Sequence, residues 1–325
     1  DVARISWYCG INEASYDSSN KYIIEYLDNE GKYISLGTLE KRDVYTWKHI
    51  DVKAVTSRLR FTVESPHGTI NEIGIFEAGS EIPVKELKVV ERSTDPDDRG
   101  KPENLVDEQQ LVQYWGSFKT GTHFDEVYHA RTAYEHLNKM EPMEWTHPPL
   151  GKIIISTGIA IFGMNPFGWR IMGTLFGAAM IPLMYLFGKK VFGKRTFAFI
   201  AAFLMMFDFM HFAQTRIATI DVFGTFFIIL MYYFMYDYFI NKSYNVGFKK
   251  SLKPLFWSGL FFGLGAASKW IGLYAGGGLA LLFFIAKYRE YLDYKTLLGD
   301  RKAKKPEWFH DFMPLYIGKT MLYCV

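Results

Sequence analysis

Residues 122–152 contain the side chains best suited to chemistry. This stretch, THFDEVYHARTAYEHLNKMEPMEWTHPPLGK, holds the adjacent carboxylates Asp125 and Glu126 and a His-Pro-Pro-Leu-Gly-Lys run over 147–152. A carboxylate can take a proton from a hydroxyl as a general base, and His or Lys can donate hydrogen bonds to an anion. The stretch joins a polar part of the chain to an apolar part. We therefore interpret 122–152 as the rim of an active site.

The two parts of the 325-residue chain differ in composition. The first is charged and broken by Gly, Asp, Asn and Ser, whereas the second has long runs rich in Phe, Ile, Leu, Met and Gly. This length predicts more than one domain. The net charge is only +3 and the sequence has no basic patch interleaved with aromatics, which excludes nucleic-acid binding. We also expect the chain to be a piece of a longer protein.

Residues 1–91 show the pattern of an all-β domain. Runs of alternating or β-branched residues between turn residues predict six strands: ARISWYCG, KYIIEYLD, GKYISLG, VYTWKHI, SRLRFTVES and INEIGIFEAG. Leu59, Phe61 and Val63 alternate with polar residues, as in a half-buried strand, and DNEG predicts a hairpin turn. Strands at this spacing predict a β-sandwich. A linker rich in Pro, Gly and Asp follows over 92–121.

The last part of this domain, RLRFTVESPHGTINEIGIFEAG, resembles the closing strands of discoidin-like (galactose-binding-like) jelly rolls. Such modules often bind sugars, so the resemblance implies a carbohydrate partner. Four aromatic residues could stack on a sugar: Trp7, Tyr16, Tyr33 and Trp47. The alternative interpretation places these aromatics in the core or on an ordinary surface.

The apolar runs of residues 122–325 predict an α-helical, polytopic membrane domain. A spanning helix needs about 20 apolar residues, and we predict spans over 167–188, 196–212, 218–240, 255–268 and 271–286. The last two form a hairpin that turns near Ser268, Lys269 and Trp270. The apolar run over 150–163 is too short to span a membrane and predicts an interfacial helix.

Three loops rich in Lys and Arg, over 189–195, 242–253 and 287–305, predict the orientation. Because cytoplasmic loops are enriched in these residues, we place all three in the cytoplasm of a multi-pass cell-membrane protein. The β-domain and 122–152 then lie outside. Several ionisable residues at membrane depth reach that outer face: Arg170, Asp208, His211, Arg216, Asp221 and Lys269. Such residues are functional by default, although snorkelling at helix ends is an alternative.

The acidic pair also has a purely structural interpretation. Thr122 and Asp125 fit a capping box, in which Thr122 is the N-cap and Asp125 the third residue of a helix. Asp125 and Glu126 would then only complement the helix N-terminus. His129 and Arg131 of that helix are predicted to lie on a solvated face.

Five motifs in order favour the catalytic interpretation: FDEVYHARTAYE, THPPLGK, FGWRIMGTLFG, QTRIATID and GLGAASKWIGL. Together, over 111–325, they resemble the protein O-mannosyltransferases, which use polyprenyl-phosphate sugars and have the GT-C membrane fold. The resemblance implies an acidic pair that matches Asp125 and Glu126. It also implies a His-Pro-Pro-Leu-Gly-Lys segment, which matches His147 to Lys152. An Arg in the following helix matches Arg170, and a loop with Arg and Asp matches Arg216 and Asp221. A β-domain before the acidic pair departs from eukaryotic members, which indicates a bacterial variant.

The resemblance implies a reaction in which a hydroxyl displaces a lipid phosphate from the anomeric carbon of a sugar. Asp125 is the candidate general base, and Glu126 is a candidate ligand of the sugar or the acceptor. The leaving phosphate needs cations, which Arg170, Arg216 and Lys269 offer, and His147 is a candidate to orient it. One base without an enzyme nucleophile implies inversion of the anomeric centre.

The resulting prediction is an integral-membrane mannosyltransferase that moves mannose from a polyprenyl-phosphate carrier to Ser or Thr of exported proteins. It requires no cofactor, although Asp125 and Asp221 could share a divalent cation. Three alternatives stay open: a transferase of aminoarabinose or another sugar to a lipid or glycan, a transporter, and a membrane-anchored sugar-binding protein. Transporters typically show internal repeats, which the sequence lacks. The sugar-binding alternative leaves the motifs of 122–152 without a role.

Overall fold

The computed structural model describes residues 1–10, 20–41, 45–64, 69–93, 100–117 and 119–324. The chain forms two compact units. The first consists of Asp1–Glu144 and Ile159–Trp169, and the second consists of Trp145–Gly158 and Arg170–Val325.

The first unit contains the β-domain, and its strands lie at the six predicted positions. They are β1 (Val2–Cys9), β2 (Asn20–Leu27), β3 (Tyr33–Lys41), β4 (Thr46–Ala54), β5 (Leu59–Val63) and β6 (Ile70–Glu77). They pair as two antiparallel three-stranded sheets, β4-β1-β6 and β3-β2-β5. One core takes side chains from both sheets, among them Ile5, Trp7, Tyr22, Ile24 and Ile73. The predicted β-sandwich is therefore confirmed.

The local predictions within the sandwich also hold. Leu59, Phe61 and Val63 are half-buried along β5 and alternate with exposed residues. At the turn between β2 and β3, the Gly31 N–H donates to the Asp28 carbonyl at 3.2 Å, and Gly31 has a φ of 80°. Glycine adopts this left-handed conformation without the steric penalty of a side chain, so the position favours it.

Residues 100–117 pack on the β4-β1-β6 sheet, although the sequence predicts a linker there. The Arg4 guanidinium is buried, and it binds Asp51 Oδ1 at 2.6 Å and the Tyr114 carbonyl at 2.8 Å. The Gln109 amide donates to the Ile73 carbonyl at 2.7 Å. A Cβ on Gly74 would lie 2.1 Å from Val112 Cγ1. This segment therefore covers the outer face of the sheet and is not a free linker.

The same packing buries a carboxyl group. Glu72 on β6 is only 4% exposed, and the Gln109 Nε2–H group donates to its Oε1 at 2.7 Å. Burial raises the pKa of the Glu72 carboxyl to about 7, although the bond from Gln109 favours the charged form. Removing a charge from water costs more than the hydrogen bonds from Gln109 and from the Glu108 backbone return.

We expect Glu72→Gln to stabilise the chain at neutral pH and to have little effect in acid. Below its unfolded pKa of 4.5 the carboxyl is protonated in both states. As pH rises toward the folded value, wild type loses stability relative to the variant, by at most about 3 kcal/mol. The difference in thermal midpoint between the two proteins, measured in detergent near pH 4 and again near pH 8, checks this. An equal difference at both pH values would contradict it.

Most of the remaining chain is helical. The α-helices are α1 (Glu126–Leu137), α2 (Leu150–Phe162), α3 (Pro166–Phe192), α4 (Arg195–Met206), α5 (Phe209–Gln214), α6 (Asp221–Ile240), α7 (Ser243–Val246), α8 (Phe248–Ser268), α9 (Ile271–Gly299) and α10 (Lys319–Cys324). In the second unit α6 packs against α8 and α9. Met235, Tyr238, Phe283 and Ala286 form a buried cluster, and the Ser258 hydroxyl donates to the Met231 carbonyl at 3.0 Å.

Three of the described helices, α3, α6 and α9, are long and apolar enough to cross a membrane, whereas α2 and α4 are apolar but shorter. The predicted helix break at Lys269 and Trp270 is confirmed, because α8 ends at Ser268 and α9 begins at Ile271. The ends of these two helices differ from the prediction. α8 begins at Phe248 and α9 continues to Gly299, because charged residues that favour helix extend both beyond their apolar runs.

The continuous helix predicted over 196–212 is wrong. α4 ends at Met206, and a new helix, α5, begins at Phe209. Asp208 is the N-cap of α5, and its carboxylate accepts a hydrogen bond from the His211 N–H at 2.7 Å. An aspartate bonded in this way favours the start of a helix over its continuation, which explains the break.

Candidate active site

Four of the sequence motifs meet at one end of the helices in the second unit. Lys269, in the connection between α8 and α9, binds the first residue of α6: its Nζ lies 2.6 Å from Asp221 Oδ1. Both side chains retain some exposure, 24% for Lys269 and 43% for Asp221. The pair is therefore within reach of a ligand.

The segment 146–152 lies against this pair. The Trp270 indole N–H donates to the Thr146 carbonyl at 2.7 Å, and Lys152 Nζ donates to the His147 carbonyl at 3.2 Å. A Cβ on Gly151 would lie 2.8 Å from Ile220 Cγ2 and 3.4 Å from the Ser268 carbonyl oxygen. Only glycine permits this approach of α2 to the other two elements. We call the segment 146–152, Ile220, Asp221 and residues 268–270 the motif cluster.

Lys152 is predicted to bind the donor, but only 1% of it is exposed. Through its bond to the His147 carbonyl, Lys152 holds the segment 146–152 in place. His147 is more accessible, and its Nδ1 lies 3.1 Å from Thr146 Oγ1. Direct donor contact by either residue stays a prediction.

The loop that carries Arg216 packs on α3. The Thr174 hydroxyl donates to the Thr215 carbonyl at 3.0 Å, and a Cβ on Gly177 would lie 2.3 Å from Thr215 Cγ2. The Arg216 guanidinium is exposed and lies 3.6 Å from the centre of the Phe212 ring. Arg170 is partly exposed one turn before Thr174, whose hydroxyl also lies 3.2 Å from the Arg170 carbonyl. Both arginines therefore belong to one packed α3–loop assembly.

The acidic pair belongs to the first unit, and its two members differ. Glu126 is completely buried, and its Oε2 accepts a hydrogen bond from the His123 N–H at 2.7 Å. Asp125 is partly exposed and precedes the first residue of α1. Among the described residues its carboxylate makes no hydrogen bond that caps the helix. The capping interpretation is therefore wrong for Asp125, because Glu126 makes the backward bond instead.

The solvated face predicted for α1 is also wrong. His129 and Arg131 are buried, at 5% and 6% exposure. Arg131 Nε binds Glu135 Oε1 at 2.9 Å, and Glu135 Oε2 accepts from the Met143 N–H at 2.8 Å. This pair borders a cavity of about 180 Å³. The Arg and Glu spacing of four residues is a helical ion-pair signal, but it does not reveal burial.

Of the four aromatics proposed to stack on a sugar, the three that the structure describes do not form one group. Trp7 lies in the sandwich core with 1% exposure, which excludes it. Trp47 packs on Tyr8, and the Tyr33 ring is covered by the Arg60 guanidinium at 3.9 Å. Tyr16 lies outside the described residues. Sugar binding by this domain therefore stays a prediction without a visible platform.

Within the part of the chain that the structure describes, no group of three or more His, Cys, Asp and Glu side chains lies close enough together to hold a metal ion. The cation that Asp125 and Asp221 could share stays a prediction.

The similarity to known proteins lies in the part of the chain that contains the motif cluster. Residues 146–298 match the family model described as dolichyl-phosphate-mannose-protein mannosyltransferase. A polyprenol-phosphate-mannose–protein mannosyltransferase of Mycobacterium tuberculosis is 29% identical over 200 residues, covering 54% of this chain and 38% of that protein. The protein of the same name from Corynebacterium glutamicum is 31% identical over 146 residues, which cover 39% and 28% of the two chains.

An uncharacterised protein of Aquifex aeolicus is 34% identical over 96 residues, covering 30% of this chain and 19% of that protein. The chain thus spans less than half the length of these relatives. The matched region contains the whole motif cluster, together with Arg170 and Arg216. Residues 146–298 of this chain are thus similar to the dolichyl-phosphate-mannose-protein mannosyltransferases.

Proposed function

We propose that this chain is part of an integral-membrane, inverting glycosyltransferase. It moves mannose from a polyprenyl-phosphate carrier to Ser or Thr hydroxyls of exported proteins. The observation that carries the proposal is the motif cluster, in which a partly exposed Lys269–Asp221 pair lies beside the His147 segment. The activity for which the Mycobacterium and Corynebacterium relatives are named supports a polyprenyl-phosphate-mannose donor and a protein acceptor.

The cations stabilise the leaving phosphate. An ammonium group has three N–H donors, and Asp221 takes one from Lys269. The remaining donors can face a phosphate oxygen, while Asp221 keeps the flexible side chain in place. Arg216 adds a forked donor from an exposed position. Donors placed where charge develops are often the largest contribution to catalysis.

Asp125 takes the proton of the acceptor hydroxyl. As the hydroxyl oxygen forms its bond to the anomeric carbon, the bond from that carbon to the phosphate oxygen breaks. The phosphate leaves with the bonding electron pair, and the proton moves to the Asp125 carboxylate. Glu126 is buried and bonded to the His123 N–H, so we assign it to the shape of this loop. A single displacement inverts the anomeric centre.

We further propose the orientation and fold type of the whole. The three basic segments, 189–195, 242–253 and 287–305, lie toward the cytoplasm by their Lys and Arg content. The motif cluster, at the opposite ends of α3, α6 and α9, then faces the extracytoplasmic side of a GT-C membrane domain. The β-sandwich lies on that side as a discoidin-like jelly roll with a carbohydrate partner.

The decisive test is transfer by the full-length protein in membranes or detergent. We expect it to transfer mannose from polyprenyl-phosphate-mannose to a Ser/Thr peptide and to form an α-linked product from a β-linked donor. A parallel reaction with polyprenyl-phosphate-aminoarabinose should give little product. Preference for aminoarabinose, or transfer to a lipid and not to the peptide, would contradict the proposal and favour the related transferase.

A further inference from the structure

Trp270 connects two parts of the motif cluster that are distant in sequence. Its indole N–H donates to the Thr146 carbonyl at 2.7 Å across 124 residues. The bond joins the α8–α9 connection to the segment that precedes α2. Half of the Trp270 side chain is exposed, so burial of the ring alone does not explain its position.

The backbone of the α8–α9 connection aims Lys269 and Trp270 at different partners. Lys269 is extended, with φ −157° and ψ 145°, whereas Trp270 has helical dihedrals, with φ −55° and ψ −24°, where α9 begins. Lys269 Nζ reaches Asp221 Oδ1, while the neighbouring Trp270 reaches Thr146. The Lys269 N–H donates to the Gly265 carbonyl, and the Gly272 N–H donates to the Lys269 carbonyl, each at 3.0 Å. The connection is thus held at both ends.

The segment that Trp270 binds ends in His147. Lys152 Nζ holds the His147 carbonyl from within α2, whereas Trp270 holds the preceding peptide from a different helix pair. The glycine contact of Gly151 with Ile220 and Ser268 brings the same elements together through packing. The Trp270 bond therefore sets the separation between His147 and the Lys269–Asp221 pair.

We propose that Trp270 is a positioning residue of the donor site, acting through its N–H group on the Thr146–His147 peptide. This inference rests on the proposed function, because His147 and Lys269 must face the same donor phosphate. Trp270→Phe keeps an aromatic ring and removes the N–H donor. Trp257→Phe in α8 is the matched control, since the described contacts of Trp257 are ring contacts with Phe234, Phe256 and Phe261.

The first measurement needs no activity. Hydrogen exchange of the backbone amides in 146–152 of the full-length protein should become faster in Trp270→Phe and stay unchanged in Trp257→Phe. Unchanged exchange in Trp270→Phe would overturn the proposed contact, whether or not the protein transfers mannose. Absence of transfer by wild type would instead contradict the proposed function, so the two failures are distinguishable.

The second measurement is kinetic. We expect Trp270→Phe to lower kcat/KM for polyprenyl-phosphate-mannose about tenfold, the order of effect of a lost, well-placed hydrogen bond. In a His147→Ala background the same change should cost less than about threefold, because residues that act through one another are not additive. An equal loss in both backgrounds, or full activity of Trp270→Phe, would overturn the positioning role.

Discussion

Asp125→Asn is expected to lower mannosyl transfer by at least about 100-fold, since general base catalysis contributes on the order of 10²–10⁴. The substitution keeps the size of the side chain and removes its ability to take a proton. Asp125 is partly exposed, and it makes no capping hydrogen bond among the described residues. The substitution therefore removes no helix cap. The initial rate of transfer to a Ser/Thr peptide at saturating donor measures the effect.

Asp107→Asn is the matched control for this experiment. Asp107 is an exposed aspartate of the same unit, and its loss should leave the rate unchanged. Glu126→Gln should differ from both, because it alters a buried side chain that binds the His123 N–H. We expect it to lower the thermal midpoint as well as the rate. A wild-type rate for Asp125→Asn would remove this residue from the mechanism.

The β-strands are predictable from the sequence because strand residues alternate between two environments. Leu59, Phe61 and Val63 show that alternation directly, and their half-buried positions agree with it. The packing of 100–117 is not predictable in this way. It depends on single long-range contacts, such as the bonds of Gln109 to Glu72 and Ile73. Local periodicity contains no signal for a covering segment of irregular backbone.

The helices show the same division between local and tertiary information. Hydropathy is continuous through Phe207 and Phe209, and it does not reveal that Asp208 between them caps a new helix. The turn at Lys269 was predictable from length, since one run of apolar residues was too long for one span. The partner of Lys269 was not predictable, because its ion pair with Asp221 joins residues 48 apart in sequence. Motif order predicted the candidate site, and only the fold reveals which motif residues touch.

Burial separates residues that the sequence presents as equals. Asp125 and Glu126 are adjacent acids, yet only Asp125 is accessible. Lys152 and Lys269 are both motif lysines, but Lys152 is enclosed and Lys269 is partly open. A phosphate must reach a cation from the solvent or lipid side. This difference in exposure favours Lys269 over Lys152 as the lysine of the proposed donor site.

Lys269→Gln is expected to lower kcat by about 100-fold, the order of effect of removing one donor to a developing negative charge. Glutamine keeps a hydrogen-bond donor of similar length but has no charge to neutralise the leaving phosphate. Lys269→Arg should give an intermediate rate, because it restores the charge with a different geometry. The rates at saturating donor and the donor KM, measured with the full-length protein, separate the loss of catalysis from a loss of binding.

Lys190→Gln is the matched control for Lys269→Gln. Lys190 of α3 also pairs with an aspartate of α6: its Nζ lies 2.8 Å from Asp237 Oδ2, and the two side chains are 17% and 34% exposed. Asp237 lies about 24 Å from Asp221 along α6, at about 1.5 Å per residue. Breaking this pair should lower the thermal midpoint much as Lys269→Gln does, and leave kcat near wild type. Equal losses of kcat in the two variants would show that the Lys269–Asp221 pair acts only through the stability of the helices.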